Sequence, residues 1–296
     1  MRASQVSSLR PRRWAVAVLA LAAIAMGGCE SLEDAGLAGR RAPGAVGAEG
    51  AASYGTVMRL AAAAQEAGDY PNAVQLYRRA AQMESRNPEP PKRLGQVLFE
   101  AGAYNEALDA FRAARSLAPT DPEVLRGLGN VYINLDQLPQ AREVLTAART
   151  AAPSDWRVAN SLGVLNDLEG QHATAQEQYR AGLAIDADNL LLRNNLGLSL
   201  ALSGDSRQAI EELRRVTADP RATAAHRQNL ALVLGLAGQI DAARRVGRVD
   251  LGEREVRSNV AYYEIMRALT GRQRSSAIGV STTPSGTIAV PNPGRL

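Results

Sequence analysis

Few side chains in this sequence combine the residue types and the spacing that catalysis requires. His172 and His226 are the two histidines, and neither has a serine or cysteine near it that would form a nucleophile–base pair. The sequence contains no phosphate-binding glycine loop and no G-x-S-x-G or S-x-x-K motif. One cysteine, Cys29, excludes an internal disulfide and a cysteine-based zinc site. We therefore predict a protein that is not an enzyme and holds no metal or cofactor.

The charge balance argues against nucleic acid as a partner. The whole chain has 34 basic and 30 acidic residues, and residues 1–28 contain four arginines and no acidic residue. Removal of residues 1–28 would leave 34 − 4 = 30 basic groups against 30 acidic ones. A neutral chain with a single lysine, Lys92, lacks the basic surface that binding to a phosphate backbone needs.

The amino terminus has the pattern of a targeting segment. Residues 1–13 are basic and polar, and residues 14–26 form an uninterrupted apolar run. As a helix this run would cover roughly 20 Å, which is short of the ~30 Å hydrocarbon core of a bilayer. The pattern predicts a cleaved secretory signal peptide over residues 1–28.

The segment Met26-Gly27-Gly28-Cys29 resembles the lipobox of bacterial lipoproteins, with methionine where leucine is usual. The resemblance implies that Cys29 is acylated and anchors the chain in a membrane. The alternative is that Cys29 is simply a residue beside a signal-peptidase site. Glu30, where an aspartate would imply retention in the inner membrane, implies the periplasmic face of the outer membrane. Residues 29–53 are rich in Ala and Gly, which predicts a flexible tether with a reach of roughly 25–30 Å.

A 34-residue period dominates residues 54–250. Leucine recurs at this interval at Leu60, Leu94, Leu128, Leu162, Leu196 and Leu230. Alanine follows thirteen residues after each leucine, and Gly68, Gly102, Asp136, Gly170, Gly204 and Gly238 mark the expected turns. The predicted units are 54–87, 88–121, 122–155, 156–189, 190–223 and 224–250. Each unit is too thin to bury its apolar face alone, so stability must come from stacking against neighbours.

This period and these columns resemble the tetratricopeptide repeat. The resemblance implies an all-α, right-handed superhelical solenoid of about six helix-turn-helix repeats with a concave inner face. Beyond the repeats, the apolar stripe of Val256, Val260, Tyr263 and Met266 predicts a capping helix over residues 251–270. The Ser-, Thr-, Gly- and Pro-rich residues 271–296 predict a disordered tail.

The same resemblance implies which side chains line the inner face. These are Arg59, Lys92, Arg93, Gln96, Arg126, Asn130, Asn160, Asn194, Asn195, Gln228 and Asn229. The row is basic in the first three units, which suggests a loose preference for acidic peptide, and rich in carboxamides in the last three. Carboxamides offer donors and an acceptor to an extended peptide backbone, so we predict a peptide groove. The alternative is that these are ordinary solvated residues. We also expect Leu198 and Leu232 to form an exposed face that would serve self-association as readily as ligand binding.

The segment from Arg244 to Tyr263 resembles the end of the tetratricopeptide lipoproteins of the tight-adherence (Flp) pilus system, the TadD type. That resemblance implies a protein-binding adaptor that assists the outer-membrane secretin of the pilus machine, as a pilotin does. The alternative function is a scaffold in envelope biogenesis that serves outer-membrane barrel assembly or regulates peptidoglycan synthesis.

Overall fold

The computed structural model of the chain describes residues 53–268, 281–282 and 288–289. The predicted signal peptide, the lipidation site Cys29 and most of the predicted tether lie outside these ranges. Within the described residues, no helix combines the length and the apolar character needed to cross a bilayer.

The described part of the chain is built from helices that follow one another in pairs. They are α1 (Tyr54–Glu66), α2 (Tyr70–Met83), α3 (Glu89–Glu100), α4 (Tyr104–Leu117), α5 (Pro122–Asn134), α6 (Leu138–Ala151), α7 (Trp156–Leu168), α8 (His172–Ile185), α9 (Leu190–Leu202), α10 (Ser206–Ala218), α11 (Ala224–Leu236), α12 (Ile240–Gly247) and α13 (Glu253–Ala268). Helices α1 to α12 form six antiparallel pairs that stack on one another, and α13 packs against α11 and α12. The fold is the all-α tetratricopeptide superhelix that the period predicts.

The turn inside each pair is set by one residue with a left-handed backbone. Five of the six are glycine, with φ between 75° and 95°, and the sixth is Asp136 with φ of 57°. Glycine ends a helix in this conformation without steric cost, and aspartate tolerates it. These are the six positions that the sequence marks as turns. The next first helix is then capped by a short polar side chain, as at Asp121, whose carboxylate accepts from the amides of Glu123 and Val124.

Small residues let the helices approach closely around one large side chain per unit. A Cβ atom on Gly127 would lie 2.4 Å from the ring of Phe111, and one on Gly163 would lie 2.4 Å from the ring of Tyr179. The leucine column behaves differently at the open amino end. Leu60 is 52 % exposed, whereas Leu128 is fully buried. Leu60 differs because α1 is the first helix of the described stack.

The apolar core is continuous through the middle of the stack and small at its amino end. One cluster joins α3 to α7, and a second joins α7 to α13. A minor cluster at the amino end combines Ala61, Ala64, Ala73 and Tyr77 of the first unit with Val97 of α3. At the other end, all four residues of the predicted apolar stripe of α13 are buried, so α13 covers the last repeat.

The carboxyl-terminal segment contributes one element that is not a helix. Strands β1 (Ser281–Thr282) and β2 (Ile288–Ala289) pair antiparallel, with Ser281 opposite Ala289 and Thr282 opposite Ile288. The composition of residues 271–296 predicts a disordered tail, and these four residues within it form a short ladder. The rest of residues 269–296 lies outside the described residues.

Candidate peptide-binding face

Helix α5 carries a polar stripe on its inner side. Eight of its residues are buried against neighbouring helices. Glu123, Arg126, Asn130 and Asn134 are only half-buried. Their spacing of three and four residues places them on one face. This stripe contains two of the inner-face residues predicted from the sequence, Arg126 and Asn130.

The basic end of the predicted groove is neutralised by carboxylates. The ammonium group of Lys92 lies 2.8 Å from Glu89, 3.4 Å from Asp121 and 3.0 Å from Glu123. Burial alone would lower the pKa of Lys92, but hydrogen bonds from Glu89 and Glu123 outweigh it and raise the pKa. Burial would likewise raise the pKa of Glu123, but Lys92 and Gln96 outweigh it and lower the pKa.

Two further predicted groove residues belong to the same network. The Nε atom of Arg93 donates to Glu89 at 2.7 Å, and its Nη1 atom donates to Gln96 at 3.1 Å. The Gln96 amide donates to Glu123 at 2.7 Å. Lys92 and Arg93 therefore carry no uncompensated positive charge, and the expected preference of this end for acidic peptide does not follow from them.

Unlike Lys92 and Arg93, Arg126 forms no ion pair with a neighbouring carboxylate of the described chain. Its side chain is largely removed from water, and burial lowers its pKa. Its Nε atom is buried and has no hydrogen-bond partner within the described part of the chain. Asp155 and Glu123 act on it through charge only, and no ion pair joins Arg126 to either of them. A guanidinium in this state is a donor that an incoming carbonyl or carboxylate oxygen can satisfy.

The carboxamides of the later units bond to one another. Asn195 donates to Asn160 at 2.8 Å, and Asn229 donates to Asn194 at 2.9 Å. Ser161 donates to Asn130 at 2.8 Å and extends this inter-repeat ladder to α5. Asn194 and Asn195 are completely buried. These side chains join successive first helices, so α7, α9 and α11 are held together by polar contacts on the inner side.

The apolar residues of the inner face are also covered. Leu198 is 4 % exposed and Leu232 is 5 % exposed, and both belong to one cluster with Val164. The expectation of an exposed leucine face for self-association is wrong, because these side chains pack across neighbouring units. Of the remaining predicted groove residues, Arg59 is exposed at the amino end and Gln228 is half-buried on α11.

A buried carboxylate in the fourth unit was missed by the sequence analysis. Asp167 has a fully buried side chain and accepts from His172 Nδ1 at 2.9 Å, Ser199 Oγ at 2.7 Å and Tyr179 OH at 3.0 Å. Burial raises its pKa, and the three hydrogen bonds oppose that rise. The sequence does contain a signal for this burial, because the equivalent positions of the second and third units are the apolar residues Phe99 and Ile133.

The cluster around Asp167 does not have the geometry of a nucleophile and its base. Ser199 and His172 both bond to the same oxygen of Asp167, so the hydroxyl of Ser199 gives its hydrogen bond to the carboxylate. A triad instead requires the imidazole between the serine and the carboxylate. Across the described ranges, no group of three side chains is placed to hold a metal ion.

Comparison with known proteins agrees with the repeat. The tetratricopeptide repeat family model matches residues 64–107 and 98–163. Proteins with this repeat are generally non-catalytic scaffolds that bind other proteins. A search of curated protein sequences finds no match.

Solved structures show the same fold at low identity. A thermophilic tetratricopeptide protein from Thermus thermophilus is 21 % identical, with a TM-score of 0.56 over 62 % of this chain and 99 % of that one. A tetratricopeptide repeat protein from Parabacteroides merdae is 13 % identical, with a TM-score of 0.60 over 71 % of this chain and 84 % of that one. The pilF protein of Pseudomonas aeruginosa is 16 % identical, with a TM-score of 0.58 over 72 % of this chain and 96 % of that one.

Proposed function

We propose that this chain is a non-catalytic adaptor that binds an extended peptide segment of a partner protein on the inner stripe of α5. The observation that carries the proposal is Arg126, a half-buried residue whose Nε atom is buried and has no partner among the described residues. An unsatisfied buried donor costs about 1–3 kcal/mol, and a ligand oxygen that pairs with it recovers part of that cost.

The neighbours of Arg126 favour peptide backbone over a charged ligand. Asn130 lies one turn further along the same face. Its Oδ1 atom accepts from Ser161, and its amide group can donate to a backbone carbonyl. The negative charge of Glu123 is matched by Lys92 at 3.0 Å. The stripe therefore suits a neutral extended segment with carbonyl oxygens directed at Arg126.

We place the protein at the periplasmic face of the outer membrane, anchored by acyl chains on Cys29. Support comes from the lipobox resemblance and from the basic and apolar segments before it. Acyl chains contribute about 0.8 kcal/mol per buried CH₂, so several chains give stable anchoring. Replacing Cys29→Ser should move the protein from the membrane fraction to the periplasmic fraction. A protein that stays in the membrane fraction would contradict this anchor.

We further propose that the partner belongs to a tight-adherence pilus machine, with the secretin as its central component. Support comes from the resemblance of residues 244–263 to the end of those lipoproteins. The likeness to pilF of Pseudomonas aeruginosa is compatible with this proposal but concerns the fold alone. Deletion of the gene should abolish surface fibres and leave growth unchanged. Leaky or misshapen cells with intact fibres would instead favour the scaffold in barrel assembly or peptidoglycan synthesis.

The binding face can be tested in living cells with a photo-crosslinking residue at position 130. We expect Asn130 on α5 to capture the secretin or another pilus component, identified by mass spectrometry. The matched control is Thr146, an exposed residue on the outer helix α6, which should not capture that component. Equal capture at the two positions would contradict binding on the inner face.

A further inference from the structure

We infer that the strand pair β1–β2 of the chain's own carboxyl terminus occupies the inner stripe of α5 and competes there with the partner. This inference rests on the proposed function for its regulatory consequence. Its physical basis is a contact, since β1 packs against α5. No other segment of the described chain is both extended and in contact with an inner helix.

The side of α5 that β1 contacts follows from the packing of the other helices. Helix α5 pairs with α6, packs against α4, and is flanked by α3 and α7. These four helices cover the buried residues of α5, and the half-buried stripe is the side that remains. β1 therefore lies over the stripe that contains Arg126 and Asn130.

The chemistry of the carboxyl-terminal segment matches that stripe. Residues 275–294 contain no charged side chain. A two-stranded ladder pairs the backbone on its inner edges only and leaves amides and carbonyls free on the outer edges. A carboxamide on the stripe, such as that of Asn130, can satisfy such a group. The Nε atom of Arg126 has no partner among the described residues although β1 contacts α5, so it stays available to the partner protein. A neutral, extended backbone is the same class of ligand that we propose for the partner.

Because the strand pair and α5 belong to one chain, their contact is intramolecular, and this raises the effective concentration of the segment at its site. Thirteen residue steps separate Ala268, the end of α13, from Ser281. At about 3.3–3.6 Å per residue, this connection reaches at most roughly 43–47 Å. For a connection of this length, the effective concentration of the segment at its site is on the order of millimolar. A partner peptide must therefore displace the segment, and its apparent affinity is lowered in proportion.

The test uses a labelled synthetic peptide with the sequence of residues 276–292 as the probe. It is titrated against the full chain and against a full-length variant in which residues 279–290 are replaced by Gly and Ser. Since the native segment occupies its own site, we expect the peptide to bind the replaced variant at least tenfold more tightly than the native chain. Adding Asn130→Lys to the replaced variant should abolish binding, whereas Thr146→Lys on α6 should leave it unchanged.

Equal affinity for the native and replaced chains, or no binding to the replaced chain, would overturn the inference. Circular dichroism at 222 nm establishes that each variant keeps its helices, so loss of binding is not mistaken for unfolding. The two proposals fail separately. If Asn130 captures a pilus component in cells but the peptide assay shows no difference, only the intramolecular competition fails. If the assay shows competition but no pilus component is captured, only the proposed partner fails.

Discussion

The first three repeats and the last three share a backbone and differ in the chemistry of their inner side. In α3 and α5 the inner side chains are charged and form ion pairs across units, as Lys92 does with Glu123. In α7, α9 and α11 they are neutral, buried and joined by carboxamide hydrogen bonds. The comparison teaches that a few small and apolar positions specify the repeat. The side chains at the inner positions can therefore vary, and they form either an ion-paired surface or a buried layer of hydrogen-bonded carboxamides.

The two regions can be compared directly at one repeat position, which is Tyr77 in the first unit and Tyr179 in the fourth. In the first unit Tyr77 donates to Gln65 at 3.1 Å, in a partly buried site. In the fourth unit Tyr179 donates to Asp167 at 3.0 Å, in a fully buried site. The same hydrogen bond is thus neutral and open at one end of the stack, and anionic and enclosed in its middle.

The largest expected effect comes from removing the buried carboxylate. Asp167→Ala leaves Tyr179, Ser199 and His172 without their acceptor, and each unsatisfied buried group costs about 1–3 kcal/mol. We expect the free energy of unfolding to fall by roughly 3 kcal/mol or more. The matched variant Gln65→Ala should cost about 1 kcal/mol, because water reaches the exposed side of that site. Urea unfolding followed by circular dichroism measures both, and equal losses would contradict the comparison.

A smaller effect should come from the hydroxyl groups alone. Tyr179→Phe removes one donor from a carboxylate that water cannot reach, and we expect a loss of about 1–2 kcal/mol. Tyr77→Phe should cost no more than about 0.5 kcal/mol, because the lost acceptor is a neutral, half-buried carboxamide that keeps its hydrogen bond to Glu100. Thermal unfolding of the two variants side by side provides the measurement. A larger loss for Tyr77→Phe would show that the amino-terminal site is the enclosed one.

The two regions should also respond to pH with opposite signs. The pKa of Asp167 is raised from its ordinary 3.8. The contribution of Asp167 to folding stability is therefore most favourable below pH 3.8, and it is lost as the pH rises through the native pKa. The pKa of Glu123 is lowered from its ordinary 4.5. The contribution of Glu123 to folding stability is therefore present above pH 4.5, and it is lost as the pH falls through the native pKa.

These signs can be measured as differences from the wild type. As pH rises from about 3.5, the wild type should lose stability relative to Asp167→Asn but gain stability relative to Glu123→Gln. Urea midpoints over that range give both differences. Slopes of the same sign for the two variants would refute the assignment of a desolvated carboxylate to one region and a paired carboxylate to the other.

The smallest effect should come from the partly exposed ion pair of the amino-terminal region. The side chain of Arg93 is 42 % exposed, and that of Glu89 is 35 % exposed. Exposed pairs contribute about 0.2–1 kcal/mol and are screened by salt. We expect Arg93→Gln to cost no more than about 0.5 kcal/mol and the difference to vanish in high salt. A cost that persists in about 1 M NaCl would mean that this pair is as enclosed as the centre of the stack.

Much of the fold could be predicted because the 34-residue period can be recognised directly in the sequence. The turn residues, the two helices of each unit and the stripe of α13 all depend on contacts close in sequence. The carboxamide ladder could not be read in this way. Its bonds join residues separated by 31 or 35 positions, as in Asn130–Ser161 and Asn160–Asn195, instead of by the 34 of the repeat. Those offsets depend on how far each unit is rotated and shifted relative to the next.

The contacts of the basic residues on α3 are explained only in part by the sequence. Glu89 lies one turn before Lys92 and Arg93, so its ion pairs with them are local. Neutralisation of Lys92 by Glu123 instead requires knowing which acidic side chain of the following unit comes within 4 Å. Leu198 was wrongly expected to be exposed for the same reason, since its cover comes from neighbouring units. Asp167 went unnoticed because a single acidic residue in a helix is ordinarily solvated.

The small apolar core at the amino-terminal end has a mechanical consequence. Its cluster consists mainly of alanines and one tyrosine, and Val97 of α3 joins it to the second unit. The later units are held by larger apolar clusters and, from α7 to α11, by the carboxamide ladder. A pull applied through the amino terminus would act first on the end with the smallest apolar core, so we expect α1 and α2 to separate while α7 to α13 keep their shape. The stack would then behave as a stiff rod with a yielding end, and that end follows the predicted tether in the sequence.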